Sequence, residues 1–144
     1  MGYVAHEAAE LLDRTSEEIA RLGQITGAEV PADGKGYRAF YSFANLVEMR
    51  ITEELTQFGV PRKHIQRYLT ALRNSHMRWL EEDGAELGAW LVIGGEKWAA
   101  GSTMTIALGT LQLSGPIVSF VAIDAGAIKQ AILRRNGDAV DIGQ

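Results

Sequence analysis

The sequence predicts an α+β fold: a helical N-terminal half, followed by a small antiparallel sheet with a C-terminal helix. Three observations carry this expectation. Leu46, Val47, Ile51, Leu55 and Phe58 recur at helical spacing between Ser42 and Gly59, which marks an amphipathic helix with a start and a stop. Two β-prone runs, residues 89–93 and 96–100, flank Gly94-Gly95, a good two-residue hairpin turn. A nearly continuous apolar run from Ile117 to Ile123 then meets Asp124 and an Ala/Ile-rich stretch, as expected for a covered strand followed by a capped helix.

Taken in order, Val4 to Leu12 reads as a short helix with Ala5, Ala8, Ala9, Leu11 and Leu12 as its small apolar contacts. Asp13-Arg14 is a turn, and Thr15 with Glu18 three residues on forms a full capping box for a second helix from Ser16 to about Leu22,. Ile19 and Leu22 are its inward residues. Gly23 to Gly36 holds Gly27, Pro31 and Asp33-Gly34, a loop or short hairpin by its turn residues. A basic, aromatic segment follows, with Lys35, Tyr37, Arg38 and Tyr41.

Ser42 is the expected N-cap of the next helix. Asn45 stands where a capping box prefers Glu or Gln, so the box is read as incomplete. Gly59 fits the C-terminal cap and Pro61 the first turn of another helix, where a missing N–H costs nothing. That helix runs to about Trp79. Ile65, Leu69, Leu72, His76 and Trp79 form a heptad-like seam, expected to pack on a second subunit or on the C-terminal half. Glu81-Glu82-Asp83-Gly84 marks a shift in charge and composition, which divides the chain into residues 1–80 and 81–144. Beyond it, Thr103 to Leu108 is read as β-prone. The last helix is expected from about Ala125 to Arg135, ended by Asn136-Gly137, with Ala127, Ile128, Ala131 and Ile132 buried.

With 144 residues the chain fits one domain or two small ones, and 47% hydrophobic residues suffice for a core,. There is no cysteine, so disulfides, thiolate metal sites and Cys nucleophiles are excluded. Three separated His make a zinc site a poor expectation,. No apolar run is long enough to cross a bilayer, and the N-terminus is too acidic for a signal peptide, so a cytoplasmic protein is expected. The net charge of −4 is unevenly spread. Residues 1–35 carry three basic and seven acidic groups, and residues 80–144 carry four and eight, each segment −4. Residues 36–79 carry seven basic and three acidic, a local +4. Local charge sets the attraction to phosphate.

Tyr37 and Arg38, then Tyr41-Ser42-Phe43-Ala44-Asn45-Leu46, then Gly59-Val60-Pro61 with Ile65, resemble the MerR family of winged helix-turn-helix regulators over roughly the first half of the chain. The resemblance implies a DNA-binding transcriptional regulator, acting as a homodimer on palindromic double-stranded DNA. The Ser16 helix would enter the major groove with Ser16, Glu17, Ala20 and Arg21 toward the bases. Lys35, Tyr37, Arg38 and Tyr41 of the wing, with Arg62, Lys63 and Arg67, would meet phosphate and sugar. Two bland alternatives stand beside this: the tyrosines cover the helix beneath, and the cations of the second helix form a solvated face. The family's groove helix usually carries Arg and Tyr near its start. This one has Glu17 and Glu18, with Arg21 its sole cation; Glu accepts from cytosine but repels phosphate.

The C-terminal half would dimerise, bind a small-molecule effector or hold a protein partner. The resemblance also extends to antitoxins with a MerR-like half, whose partner is a toxin. Trp79, Trp90 and Trp98 either line a ligand pocket or pack in a core. No phosphate loop and no motif for an activated serine is present, and the Glu81-Glu82-Asp83 cluster reads as solvated charge. No catalytic residue, metal or cofactor is therefore expected.

Overall fold

The computed structural model describes residues 2–27, 40–80, 90–94, 97–101, 103–113, 115 and 119–142. The chain is mixed helix and sheet. In order it forms β1 (Gly2–Val4), α1 (Ala5–Leu12), α2 (Ser16–Thr26), β2 (Phe40–Ser42), α3 (Phe43–Gln57) and α4 (Arg62–Leu80). Then come β3 (Trp90–Gly94), β4 (Lys97–Gly101), α5 (Met104–Gln112), β5 (Val121–Asp124) and α6 (Ala125–Ile142).

The strand before α1 was not anticipated. β1 and β2 pair antiparallel, with Tyr3 opposite Tyr41, so a short ladder joins the entries of α1 and α3. Helix starts follow local side-chain chemistry. Glu7 accepts from the Val4 N–H at 3.0 Å, and Thr15 and Glu18 complete the expected box on α2. On α3 the box is complete too, against expectation. The Ser42 N–H donates to Asn45 Oδ1 at 2.9 Å, and the Asn45 N–H donates to Ser42 Oγ at 3.1 Å. The shorter amide reaches back as Glu or Gln would.

α3 is buried nearly all round, through Phe43, Ala44, Leu46, Val47, Met49, Ile51 and Leu55, as a helix at the centre of a fold must be. α1, α2, α4 and α6 pack on it. Phe58, expected in its apolar stripe, is instead 61% exposed at its C-cap, because the chain turns there and the stripe ends with Leu55. The α4 seam also differs from expectation. Ile65, Leu69 and Leu72, joined by Tyr68, bury in the same cluster as α3, and α4 packs on α3 and α2. His76 and Trp79 have side chains outside the described residues, as do residues 81–84 of the expected boundary. The cluster itself includes Leu91, Ile93, Ile123 and Ile132, so the packed core extends past residue 80.

The second sheet has strand order β4-β3-β5, antiparallel throughout. The expected hairpin is present one residue later, with Gly94 paired to Lys97. Alternation sorts the side chains. Leu91, Ile93 and Ile123, with Trp98 and Val121, face the main core. Val92 and Ala99, with Trp90 and Ala122, face Ala107 and Leu111 of α5.

α5 corrects the expectation of a strand at Thr103–Leu108. Thr103 caps it, accepting from the Ile106 N–H at 3.2 Å, and Ala107 and Leu111 bury at helical spacing. The Thr/Ile alternation is too short to outweigh a cap followed by Met, Ala, Leu and Gln, all good helix formers. β5 is four residues long, shorter than the expected strand, and mostly half-buried at a sheet edge. Asp124 caps α6 as expected, accepting from the Ala127 N–H at 2.9 Å. The helix then passes through Gly137 to Ile142; a lone Gly inside a helix costs only about 1 kcal/mol and need not end it. Its inward face is Ala125, Lys129 and Ile132, with Ile128 and Leu133 half-buried, while Ala127 and Ala131 are exposed.

Gly101 sets how closely α5 lies on the sheet. A Cβ there would fall 2.8 Å from the Ala107 backbone N and 3.2 Å from its Cα, closer than atoms tolerate. Gly101→Ala should therefore push α5 outward and cost about 2 kcal/mol by overpacking, read as a lower urea midpoint with the fold retained.

Candidate nucleic-acid interface

α2 is held at both ends and open along one side. Ile19, Leu22, Gly23 and Thr26 are buried. Ser16, Glu17, Ala20, Arg21 and Gln24 are exposed. These five recur at intervals of one, three, one and three residues, so they share one face.

At the N-terminal end, Glu18 is committed to the cap. Its Oε1 accepts from the Thr15 N–H at 3.2 Å and the Thr15 hydroxyl at 3.1 Å, and Arg14 lies 4.0 Å away. The Thr15 bonds, aided by Arg14 and Arg21, hold its carboxyl below the ordinary value. Arg14 donates to Glu53 on α3, which raises its own pKa further. Arg50 on α3 donates to Glu53 at 3.1 Å and to the Leu12 carbonyl at 2.6 Å. The α1–α2 turn is thus fastened to α3 by two arginines sharing one carboxylate.

At the C-terminal end, the carbonyls that a helix leaves unpaired are met from α4. Gln66 Nε2 donates to the Ile25 carbonyl at 3.0 Å, and Arg73 donates to the Thr26 carbonyl. Arg73 Nε also donates to Glu48 Oε2 of α3 at 2.6 Å. Glu48 is 1% exposed. Burial pushes its carboxyl up, opposed by Arg73 and by Asn45. Gly27 ends α2 with φ +77°, in the left-handed region that suits glycine.

The cations of α4 are disposed differently. Arg62, Lys63 and Arg67 are exposed, and they lie within one turn of Gln66, the residue that meets the end of α2. Among the described residues, ion pairs engage Arg14, Arg50 and Arg73 but not Arg21, Arg62, Lys63 or Arg67. Among the described residues, the arginines therefore divide into three that fasten helices and others that face outward.

Two expectations are corrected. Tyr41 is 3% exposed, opposite Tyr3 in the β1–β2 ladder, and burial raises its phenol pKa. Strand pairing turns it inward, so it packs in the core and does not meet phosphate. Trp90 and Trp98 lie on opposite faces of the sheet, one toward α5 and one toward the main core, so they do not line one pocket. Lys35, Tyr37 and Arg38, and the Trp79 side chain, lie outside the described residues. The sequence reading missed Gln24, which continues the open face one turn past Ala20. It also missed Arg73, whose signal was an acid, Glu48, amid the apolar residues of α3.

Among the described residues no group of acids and histidines could hold a metal ion, and no helix is long and apolar enough to cross a membrane. No protein-family model matches the chain, and no curated protein does.

Because the Glu48 carboxyl has a raised pKa, the folded chain keeps a proton there that the unfolded chain has released. Stability should fall as pH rises from the ordinary glutamate value of 4.5 through the Glu48 titration,. Glu48→Gln should remove that slope in urea unfolding measured across this range. Glu48→Ala, which strands Arg73, should cost about 3 kcal/mol above it.

Proposed function

We propose that the chain is a sequence-specific DNA-binding transcriptional regulator built on a MerR-like winged helix-turn-helix and acting as a homodimer. In this reading α1 and α2 are the helix-turn-helix, and α2 enters the major groove. Ser16, Glu17, Ala20 and Arg21, with Gln24 added, face base edges. Arg62, Lys63 and Arg67 grip phosphate, as do Lys35, Tyr37 and Arg38 of the wing. No reaction and no cofactor belongs to the proposal.

One observation supports it above the others. The open face of α2 is left bare while both its ends are fastened to α3 and α4, and unpaired cations stand on α4 beside the residue that meets its C-terminus. A rigid, unoccupied helix face next to free positive charge suits a duplex. Glu18 is turned back to its cap and keeps its charge, so Glu17 is the acid on the open face.

Glu17 also favours a second reading: a protein-interaction module of antitoxin type that keeps the fold and binds DNA weakly or not at all. Its partner would be a toxin or another protein with a basic surface.

Titration of labelled upstream DNA at several salt concentrations separates the two. A regulator should lose affinity steeply with salt, with a log–log slope of about 0.9 per phosphate neutralised. Arg62→Ala and Arg38→Ala should each weaken binding alike on all sequences and lower that slope by about 1. Arg21→Ala should act on the preferred sequence more than on others. Absent or salt-insensitive binding would favour the interaction module.

A further inference from the structure

We infer that Glu17 and Arg21 choose the base pairs under α2: Glu17 takes a cytosine and Arg21 a guanine, one or two base pairs apart in the major groove. The inference rests on the regulator reading and deepens it, from the binding of a duplex to the bases that are bound. It begins with two charges that the fold does not use. Both side chains are exposed, and among the described residues no ion pair engages either. Glu17 precedes Arg21 by four residues, the order in which an acid and a cation pair best along a helix, yet they stay apart. Nor does the start of α2 depend on Glu17, since Glu18 closes the capping box with Thr15,.

Spacing sets their reach. Four residues of helix rise about 6 Å, and stacked base pairs about 3.4 Å, so the two side chains meet positions one or two base pairs apart. Ser16 and Ala20 stand one residue before each of them on the same open face. Both are small, which lets the helix come close to base edges. Glu17 also lies in the first turn of α2, the end from which a groove helix touches bases.

Chemistry assigns the bases. An ionised carboxylate only accepts. Cytosine offers it the N4 amino group, whereas adenine sets its N6 amino group beside an N7 acceptor that repels a second acceptor. A guanidinium only donates. Guanine offers it O6 and N7 side by side, whereas adenine offers one acceptor and thymine one acceptor beside a methyl group. The acid that lowers affinity for phosphate thereby raises discrimination between bases.

Selection of duplexes from a random library by the full chain, at one fixed salt concentration, tests this. The selected sites should hold a cytosine and a guanine at the stated spacing, and changing either base pair should weaken binding about 10-fold or more. Glu17→Gln should move the preference at the cytosine alone to adenine, because an amide pairs with adenine N6 and N7. Arg21→Ala should erase the preference at the guanine alone. Thermal midpoints should stay nearly unchanged, since both side chains are exposed. A Glu17→Gln chain that binds every duplex more tightly, with its preferences unmoved, would show an acid that merely repels phosphate; that result overturns the inference and leaves the regulator reading whole. An Arg21→Ala chain weakened alike on all sequences would do the same. A wild-type chain that retains no duplex even at low salt overturns the regulator reading and this inference with it.

Discussion

The fold depends on Arg73 reaching two partners at once. Its guanidinium meets the buried Glu48 carboxylate on α3 and the last carbonyl of α2. A carboxylate withdrawn from water needs a close counter-charge, and a helix end withdrawn from water needs donors. One side chain answers both. Three helices are thereby fixed at a single point, and the direction of α2 is set from its C-terminus. The apolar packing of Ile19 and Leu22 holds α2 down, but apolar contact has no direction; the arginine supplies it. The Arg14–Glu53–Arg50 set does the same at the other end. The outward face of α2 is consequently presented by geometry decided on its inward side.

This arrangement gives the charge of the chain two roles. Arginines that fasten helices are neutralised locally and add little to the outer field. Arg62, Lys63 and Arg67 have no such counterpart among the described residues, so their charge is felt in solvent. An acidic protein can therefore carry a locally positive surface without any excess of basic residues overall.

The N-terminal half was largely legible in the sequence because its signals are local. Thr15 with Glu18, Ser42 as a cap, Gly59 before Pro61 and the i, i+3, i+4 spacing of Leu46 to Leu55 each act over a few residues. Their meaning hardly depends on the rest of the fold. β1 was missed because three residues make a strand only when a partner 38 positions away lies beside them. α5 was misread for a different reason. Thr and Ile suit either state, and the cap at Thr103 followed by good helix formers outweighed them,; the bare Gly101 then lets the helix lie close on the sheet. Ser16, Glu17, Ala20 and Arg21 share an exposed face of α2, a grouping for which helical spacing suffices. The inward turn of Tyr41 was not legible, since whether an aromatic beside a cation points inward is fixed by strand pairing. The arginine clamp was illegible, since nothing in the spacing of Glu48 and Arg73 says that the end of α2 will arrive between them.

The middle strand of the larger sheet has a mechanical consequence. Leu91 and Ile93 belong to the core around α3, while Val92, between them, belongs to the cluster under α5. Interiors packed to this density are stiff and pass displacement on rather than absorb it. A load applied to α5 thus has a short, rigid route to the helix on which every N-terminal element rests. Three consecutive residues of β3 therefore tie the packing under α5 to the packing around α3.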